Sequence, residues 1–255
     1  FVVRSVNSLP SLISLPNSRI IPLFMGLNVY QIIDQTEDFL VINKSQGISV
    51  HKDQNETGLT MQLKDDLKLE ALFLVHRLDK VTSGILVFAK HAQAASILSA
   101  QFRERQVTKY YLAISARKPR RKQGAIVGDM AKARRGSWKL LSSKENPAKT
   151  QFFSTSLMPG FRLFIIKPCT GKTHQIRVAL KSEGAPILGD QLYGGVASDR
   201  VYLHAFGLGF SYDDQQYHYQ CLPDEGELFG DDFKRVMNDF CGCPADLKWP
   251  NITNN

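Results

Sequence analysis

The chain has few cysteines and no long apolar run, and each shortage removes a class of protein. Four cysteines in 255 residues, Cys169, Cys221, Cys241 and Cys243, are too few and too unevenly spaced for a disulfide framework. That favours a reducing compartment, and the cytoplasm is the expected location. His218, Cys221, Cys241 and Cys243 have the residue types of a zinc site. A Cys-x-Cys spacing suits a structural knuckle poorly, so the thiols read as ordinary buried or free groups and no metal is expected. No apolar stretch approaches the roughly 20 residues that span a bilayer, so a soluble chain without a membrane role is expected. No glycine-rich loop follows an early strand, and that is the cradle a nucleotide-type cofactor needs. Internal repeats and low-complexity tracts are also missing.

Acidic residues are scarce in one place only. Residues 1–116 carry 12 basic and 10 acidic groups, residues 117–181 carry 16 and 2, and residues 182–255 carry 4 and 12. The middle segment is thus net +14 and the tail net −8. A uniformly solvated surface does not sort charge this way. A phosphate-binding face does, because each phosphate contact exchanges a condensed counterion for a Lys or Arg. A polyanion is the expected partner. Within the basic segment, Arg117-Lys-Pro-Arg-Arg-Lys122 contributes Arg120 and Arg121, Lys132-Ala-Arg-Arg135 contributes Arg134 and Arg135, and Trp138 lies among the charges. The stretch 117–149 is poorly periodic and reads as a basic insertion that contacts RNA rather than as a solvated loop.

The first 24 residues mix Ser, Asn and Pro with short apolar pieces broken at Pro10, Pro16 and Pro22. They match neither a signal peptide nor a folded unit, and are expected to be a disordered or non-native extension. The chain begins with Phe, and Met25 opens the first strand-patterned stretch, so translation is expected to start at Met25. Residues 25–255 are expected to form a single domain. Strand pattern marks 39–43 and 48–50 as a hairpin around Ser45-Gln-Gly47, 85–89 as a buried strand, and 108–115 as another. Ala94, Leu98 and Phe102 recur at four-residue spacing and predict a helix over 92–102. Residues 151–156 and 161–167, joined by Met158-Pro-Gly160, read as a second hairpin. Strands follow one another through turns more often than through helices, which predicts an α+β fold with a mixed, largely antiparallel sheet.

Two polar clusters could carry chemistry. In His76-Arg-Leu-Asp79, a carboxylate beside Arg77 stands in a polar loop pinned between apolar flanks at 73–75 and 85–89. An Asp among cations is most often a weak surface ion pair, but this placement favours function. Far along the chain, Thr170-Gly-Lys-Thr-His-Gln-Ile-Arg177 supplies the cation a partly buried Asp79 would need. Thr173 can cap a helix that runs to about Glu183 and closes at Gly184. Its stripe of Ile176, Ala179 and Leu180 packs, while His174, Arg177 and Lys181 form a cationic face. The turn at 170–172 would aim backbone N–H groups outward as an anion site.

Five ordered blocks carry a resemblance. His76-Arg-Leu-Asp79 with Thr82-Ser-Gly84, Lys109-Tyr-Tyr-Leu-Ala113, Thr170 to Arg177, Pro186-Ile-Leu-Gly-Asp190 with Tyr193-Gly194, and Leu203-His-Ala205 are together similar to the RluA-type pseudouridine synthase family over about residues 29–222. The resemblance implies a pseudouridine synthase-type fold with a central cleft. It also implies cofactor-free isomerisation of a uridine in structured RNA, ribosomal or transfer: uracil is released from ribose C1′ at N1, turned, and rejoined through C5. By that resemblance Asp79 is the catalytic carboxylate, as nucleophile or as base toward the sugar, and Arg177 pairs with it. Tyr111 stacks on uracil and assists removal of the C5 proton. Tyr110 is the neighbouring alternative, and strand alternation admits only one of the two to the cleft. The target must be everted before Asp79 can reach it. Arg77 and His76 then belong to the RNA-binding set; Arg77 would hold the gap left behind, while Lys172 and His174 would contact the RNA backbone. No obligatory protein partner is implied.

The chain departs from the family pattern in the first hairpin, where Lys44-Ser-Gln-Gly47 replaces Lys-Pro-x-Gly, and at Lys172, which stands where Arg is commoner and lacks its bidentate fork. With no small accessory domain ahead of the domain, RNA recognition is expected from the domain itself and its basic insertion. A same-fold RNA-binding protein or chaperone without catalysis is the alternative reading, and an RNA methyltransferase is set aside for want of the cofactor loop.

Overall fold

A computed structural model describes residues 2–6, 29–50, 58–241 and 244–252. In chain order the elements are β1 (Val2–Val6), β2 (Tyr30–Gln35), β3 (Phe39–Lys44), α1 (Leu59–Asp66), β4 (Phe73–Leu74), β5 (Ser83–Ala89), α2 (Ala92–Glu104), β6 (Thr108–Ser115), β7 (Gln123–Gly128), β8 (Met130–Lys132), β9 (Trp138–Leu140), β10 (Ala148–Met158), β11 (Phe161–Pro168), α3 (Gln175–Ser182), β12 (Leu203–Tyr212), β13 (Gln215–Cys221) and α4 (Asp231–Cys241). The main sheet runs β2-β3-β5-β12-β6-β11-β10-β7, with β4 on β5 and β13 on β12. Its ladders are antiparallel except where β12 meets β5 and where β1 meets β13. The fold is α+β, as expected. No helix among the described residues is long and apolar enough to cross a membrane.

The central strands are buried on both faces because different elements cover the two sides. Along β5, Ile85, Val87 and Ala89 pack with Ala94 and Leu98 of α2, while Leu86 and Phe88 pack with Leu59 and Leu63 of α1 and with Leu78. On β3, Phe39 and Val41 take the first side and Leu40 and Ile42 the second. Such strands read as continuous apolar runs, which is why 39–43 and 85–89 stand out in the sequence. A third cluster joins β6, β10 and β11 to the apolar stripe of α3, Ile176, Ala179 and Leu180, and to Phe233 and Met237 of α4.

Several expectations need correction. Residues 48–50 are not a strand; β3 pairs instead with β2 and β5, and the turn at Gly47 is held by its N–H donating to Lys80 O at 2.8 Å. The basic stretch 117–149 is not an irregular loop. It contains β7, which extends the main sheet against β10, and the β8–β9 ribbon. Thr173 does not cap α3: His174 occupies that position in left-handed conformation, φ 57°. Of the first 24 residues, Val2–Val6 form β1 beside β13; the rest, with Met25, lie outside the described residues. The thiol of Cys221 is buried, and the side chains of Cys241 and Cys243 lie outside the described residues.

The junction of β5 with β12 fixes the part of the sheet nearest the functional loop. Gly84 has φ +111°, and a Cβ there would come within 2.3 Å of Ala205 O, so only glycine lets the two backbones close. Beside it a buried relay runs across three strands. Arg200 Nη2 donates to Ser83 Oγ (2.6 Å), the Ser83 hydroxyl donates to His204 Nδ1 (2.8 Å), and His204 Nε2–H donates to Cys221 O (2.8 Å). Burial, the largest influence, pushes His204 down to about 3. Between that value and the usual 6.5 the unfolded chain binds a proton that the folded chain refuses, so His204 makes stability fall as pH drops through this window. Urea titrations from pH 7 to pH 4 will show that loss, and His204→Gln will flatten it; an unchanged pH slope in the variant would contradict the neutral, buried assignment.

Candidate active site

The loop that precedes β5 is tied down from several sides before any chemistry is considered. Thr82 N–H donates to Asp79 O at 2.9 Å, closing a turn, and Lys80 O accepts from Gly47. His76 Nε2 accepts from Val87 N–H at 3.0 Å, and its ring stacks on Phe102 with centroids 4.2 Å apart. Leu78 is buried in the core, which turns its neighbour Asp79 to the opposite side. Burial above all, with the charge of Lys109 second, lowers His76 to about 3, so it is neutral. The Asp79 side chain keeps 19% exposure, enough to meet a ligand while shielded on most sides.

Arg177 sits on the first turn of α3, with only 6% of its side chain exposed. Its guanidinium grips Asp190 through two parallel hydrogen bonds, Nε to Oδ2 at 2.7 Å and Nη2 to Oδ1 at 2.8 Å. The remaining Nη1 faces Asp79 Oδ2 at 3.6 Å. Burial opposes the charge on Arg177, but the hydrogen bonds and charge of Asp190, and then the charge of Asp79, outweigh it and raise its pKa. Asp190 itself is 1% exposed. Its loop cannot shift easily: Gly189, φ +81°, lies so close to Arg200 that a Cβ would fall 1.8 Å from that carbonyl oxygen.

His174 completes the cluster. Its left-handed backbone, uncommon outside glycine, places Nε2 3.9 Å from Asp79 Oδ2 and Nδ1 2.7 Å from Tyr193 Oη. With Nε2 facing a carboxylate, the proton belongs on Nε2, and Nδ1 accepts from the Tyr193 hydroxyl. Tyr193 Oη accepts in turn from Trp138 N–H at 3.0 Å, which ties the basic β8–β9 ribbon to the cluster. The Tyr193 ring also carries Arg177 on its face at 4.8 Å. Burial is the first influence on His174 and lowers its pKa against the pull of Asp79.

These groups open on a cleft of about 400 Å³ between the 75–82 loop, α2, β6 and the N-terminal end of α3. Tyr111 lines it, while Tyr110 points to the other face of β6 and stacks on Trp249 at 5.8 Å. Burial first, then the charge of Asp79, raise the Tyr111 phenol far above its ordinary range, so it presents a ring face and a hydroxyl that keeps its proton. A second cavity of about 200 Å³ lies on the other side of Asp79, bounded by Ser49, Arg77, Lys80 and Arg177.

The structure brings Asp79, Tyr111, Arg177, Arg77, His76, Lys172 and His174 to the one cleft. Their expected roles shift. His76 is engaged by the backbone and is not a cation. His174 faces Asp79 rather than standing apart from it. The N–H of Lys172 is not aimed outward but donates to Gln175 Oε1 at 3.0 Å, and Gln175 is locked by Thr170 and Thr150. Arg120, Arg121, Arg134 and Arg135 do not line the cleft: Arg121 pairs with the buried carboxylate of Glu183, while Arg134 and Arg135 are exposed on the turn between β8 and β9. Arg177, expected to serve Asp79, makes its shortest bonds to Asp190. That residue and Tyr193 belong to the Pro186–Gly194 block of the chain. The signal was available, because an Asp following Ile-Leu-Gly is headed for the interior and must find a buried base there.

Comparison with known proteins gives this geometry its setting. The family profile described as RNA pseudouridylate synthase matches residues 38–182. An RNA pseudouridine synthase of Haemophilus influenzae is 53% identical over 201 residues, covering 78% of this chain and 90% of the relative. A ribosomal large subunit pseudouridine synthase C of Vibrio vulnificus is 34% identical over 71% of this chain, which spans 61% of that relative. Among solved structures, human RNA pseudouridylate synthase domain containing 1 superposes with a TM-score of 0.66 at 28% identity, covering 79% of this chain and 86% of that one. The human domain containing 4 gives 0.64 at 27%, covering 80% and 92%. With the fold, the ordered motifs and these likenesses in agreement, the chain belongs to the RNA pseudouridylate synthase family, isomerases that act on RNA.

Proposed function

We propose that Asp79 is the catalytic carboxylate of a uridine-to-pseudouridine isomerisation in structured RNA, with Arg177 and Tyr111 as its partners and no cofactor. The observation that carries this reading is the contact of Arg177 Nη1 with Asp79 at 3.6 Å while Asp190 holds the rest of the guanidinium. A carboxylate oriented by a fixed cation at the wall of a nucleotide-sized cleft can attack or deprotonate the sugar of a uridine turned out of its stack. The N1–C1′ bond breaks, the base turns, C5 bonds to C1′, and as the C5 proton leaves N1 takes one up, so that no atom is gained or lost. The Tyr111 ring supplies a face on which uracil can lie while it turns, and its protonated hydroxyl can guide the departing proton. The ribosomal large-subunit name of the Vibrio relative favours ribosomal RNA as substrate over transfer RNA. Arg134 and Arg135, exposed on the β8–β9 ribbon, are suited to the phosphates around the target.

Pseudouridine maps of ribosomal and transfer RNA from cells lacking the protein are expected to lose one or a few sites, restored by the wild-type chain and not by Asp79→Asn. Restoration by Asp79→Asn would remove Asp79 from the chemistry, and an unchanged map after deletion would reject the reading. Arg177→Lys keeps the charge but loses the fork; it should lower kcat by about 10²-fold with little change in KM. Asp190→Asn, which leaves the buried guanidinium without its main counter-charge, should cost about 3–5 kcal/mol in chemical denaturation; a loss within experimental error would show that Asp190 does not hold Arg177.

A further inference from the structure

Three cations buried in the described part of this protein are met by acceptors. Lys44 donates to Ser45 O and Ile48 O, Arg177 to Asp190, and Arg200 to Ser83 Oγ and Glu225 O. Taking a cation out of water is costly, and in each case acceptors offset the cost. Lys109 is only partly buried, and among the described residues its ammonium has neither a hydrogen-bond acceptor nor a carboxylate partner. The neighbouring Cys169, whose thiol burial pushes up, acts to raise Lys109, and Arg105, of like sign, acts to lower it. Burial first, and Arg105 as well, push Lys109 below the usual lysine range.

The position of this lysine says what is missing. Strand alternation sends Lys109 and Tyr111 from the same face of β6, about 7 Å apart, and both line the cleft that holds Asp79. Across from the ammonium runs the backbone of Gly171, close enough that an added Cβ would come into van der Waals contact with Lys109 Nζ at 3.9 Å. Arg103 and Lys172 line the same cleft. The charge of Asp79 reaches Tyr111, whereas Lys109 responds to Cys169 and Arg105. The cleft that holds Asp79 and Tyr111 is therefore lined by a further group of cations, Arg103, Lys109 and Lys172.

Resting on the reading of the cleft as a uridine site, we propose that Lys109 binds a backbone phosphate flanking the target nucleotide. The sugar then lies toward Asp79, the base against Tyr111, and the phosphate on the cleft side of Lys109. A phosphate supplies the counter-charge the ammonium lacks, so binding the correct substrate relieves the cost of burying it. A neutral uracil carbonyl would leave these cations uncompensated.

Uridine and uridine 3′,5′-bisphosphate, titrated calorimetrically into the full chain, separate base-and-sugar binding from phosphate binding. The bisphosphate is expected to bind the wild-type chain about tenfold more tightly than uridine. Lys109→Met should erase that advantage while leaving the affinity for uridine intact, and Lys109→Arg should retain most of it. An advantage that persists in Lys109→Met, or that the wild-type chain never shows, would overturn the assignment, as would a loss of both affinities together, which would mark Lys109 as structural. None of these outcomes depends on turnover, so the phosphate subsite can fail while the isomerase reading stands on its own RNA maps.

Discussion

A guanidinium kept out of water and shared by two carboxylates is the interaction on which this site depends. Arg177 spends Nε and Nη2 on Asp190, and that fork leaves Nη1 no freedom in where it points. Asp79 is thereby oriented by a residue almost a hundred positions away, which is in turn oriented by a third segment. The arrangement stands because burial makes every alternative expensive: without Asp190 the cation is uncompensated, and without Arg177 the 1%-exposed carboxylate of Asp190 is stranded.

The sheet serves this cluster as a fixed frame. Its strands are covered on both faces, and β12 locks onto β5 at Gly84 and through the Ser83–His204–Cys221 relay, a few residues from Asp79. Fixing the frame limits the motion left to the loop and so prepays part of the cost of orienting a substrate. From the far side, Trp138 N–H meets Tyr193, Tyr193 meets His174, and His174 faces Asp79. The exposed cations of the β8–β9 ribbon are thus joined to the Asp79 cluster by a short chain of contacts.

What was legible in the sequence followed local physics. Continuous apolar runs marked β3 and β5, four-residue spacing marked α2, and the hairpin of β10 with β11 was visible from its turn at Gly160. Pairing at a distance was not legible. Residues 48–50 carry the alternation of a strand, yet β3 already had β2 and β5 as neighbours. The segment holding β7 was hidden because its glycines and flanking Arg and Lys dilute the apolar pattern of a strand at the end of the sheet. At the site, Asp79 and Arg177 were legible as charges in two polar clusters, whereas Tyr111 was marked only by the resemblance of its Lys-x-Tyr block. Asp190 and Tyr193 lie within a further motif block, but their roles depend on the loop at 186–195 folding back under α3, which only the tertiary structure supplies.

The most direct measurement is an experimental structure of the Asp79→Asn chain bound to its target RNA. The account predicts C1′ of the everted uridine within about 3.5 Å of the residue 79 side chain, with Arg177 still clasping Asp190. A uridine seated away from residue 79, or an Arg177 released from Asp190 to hold a phosphate, would contradict it.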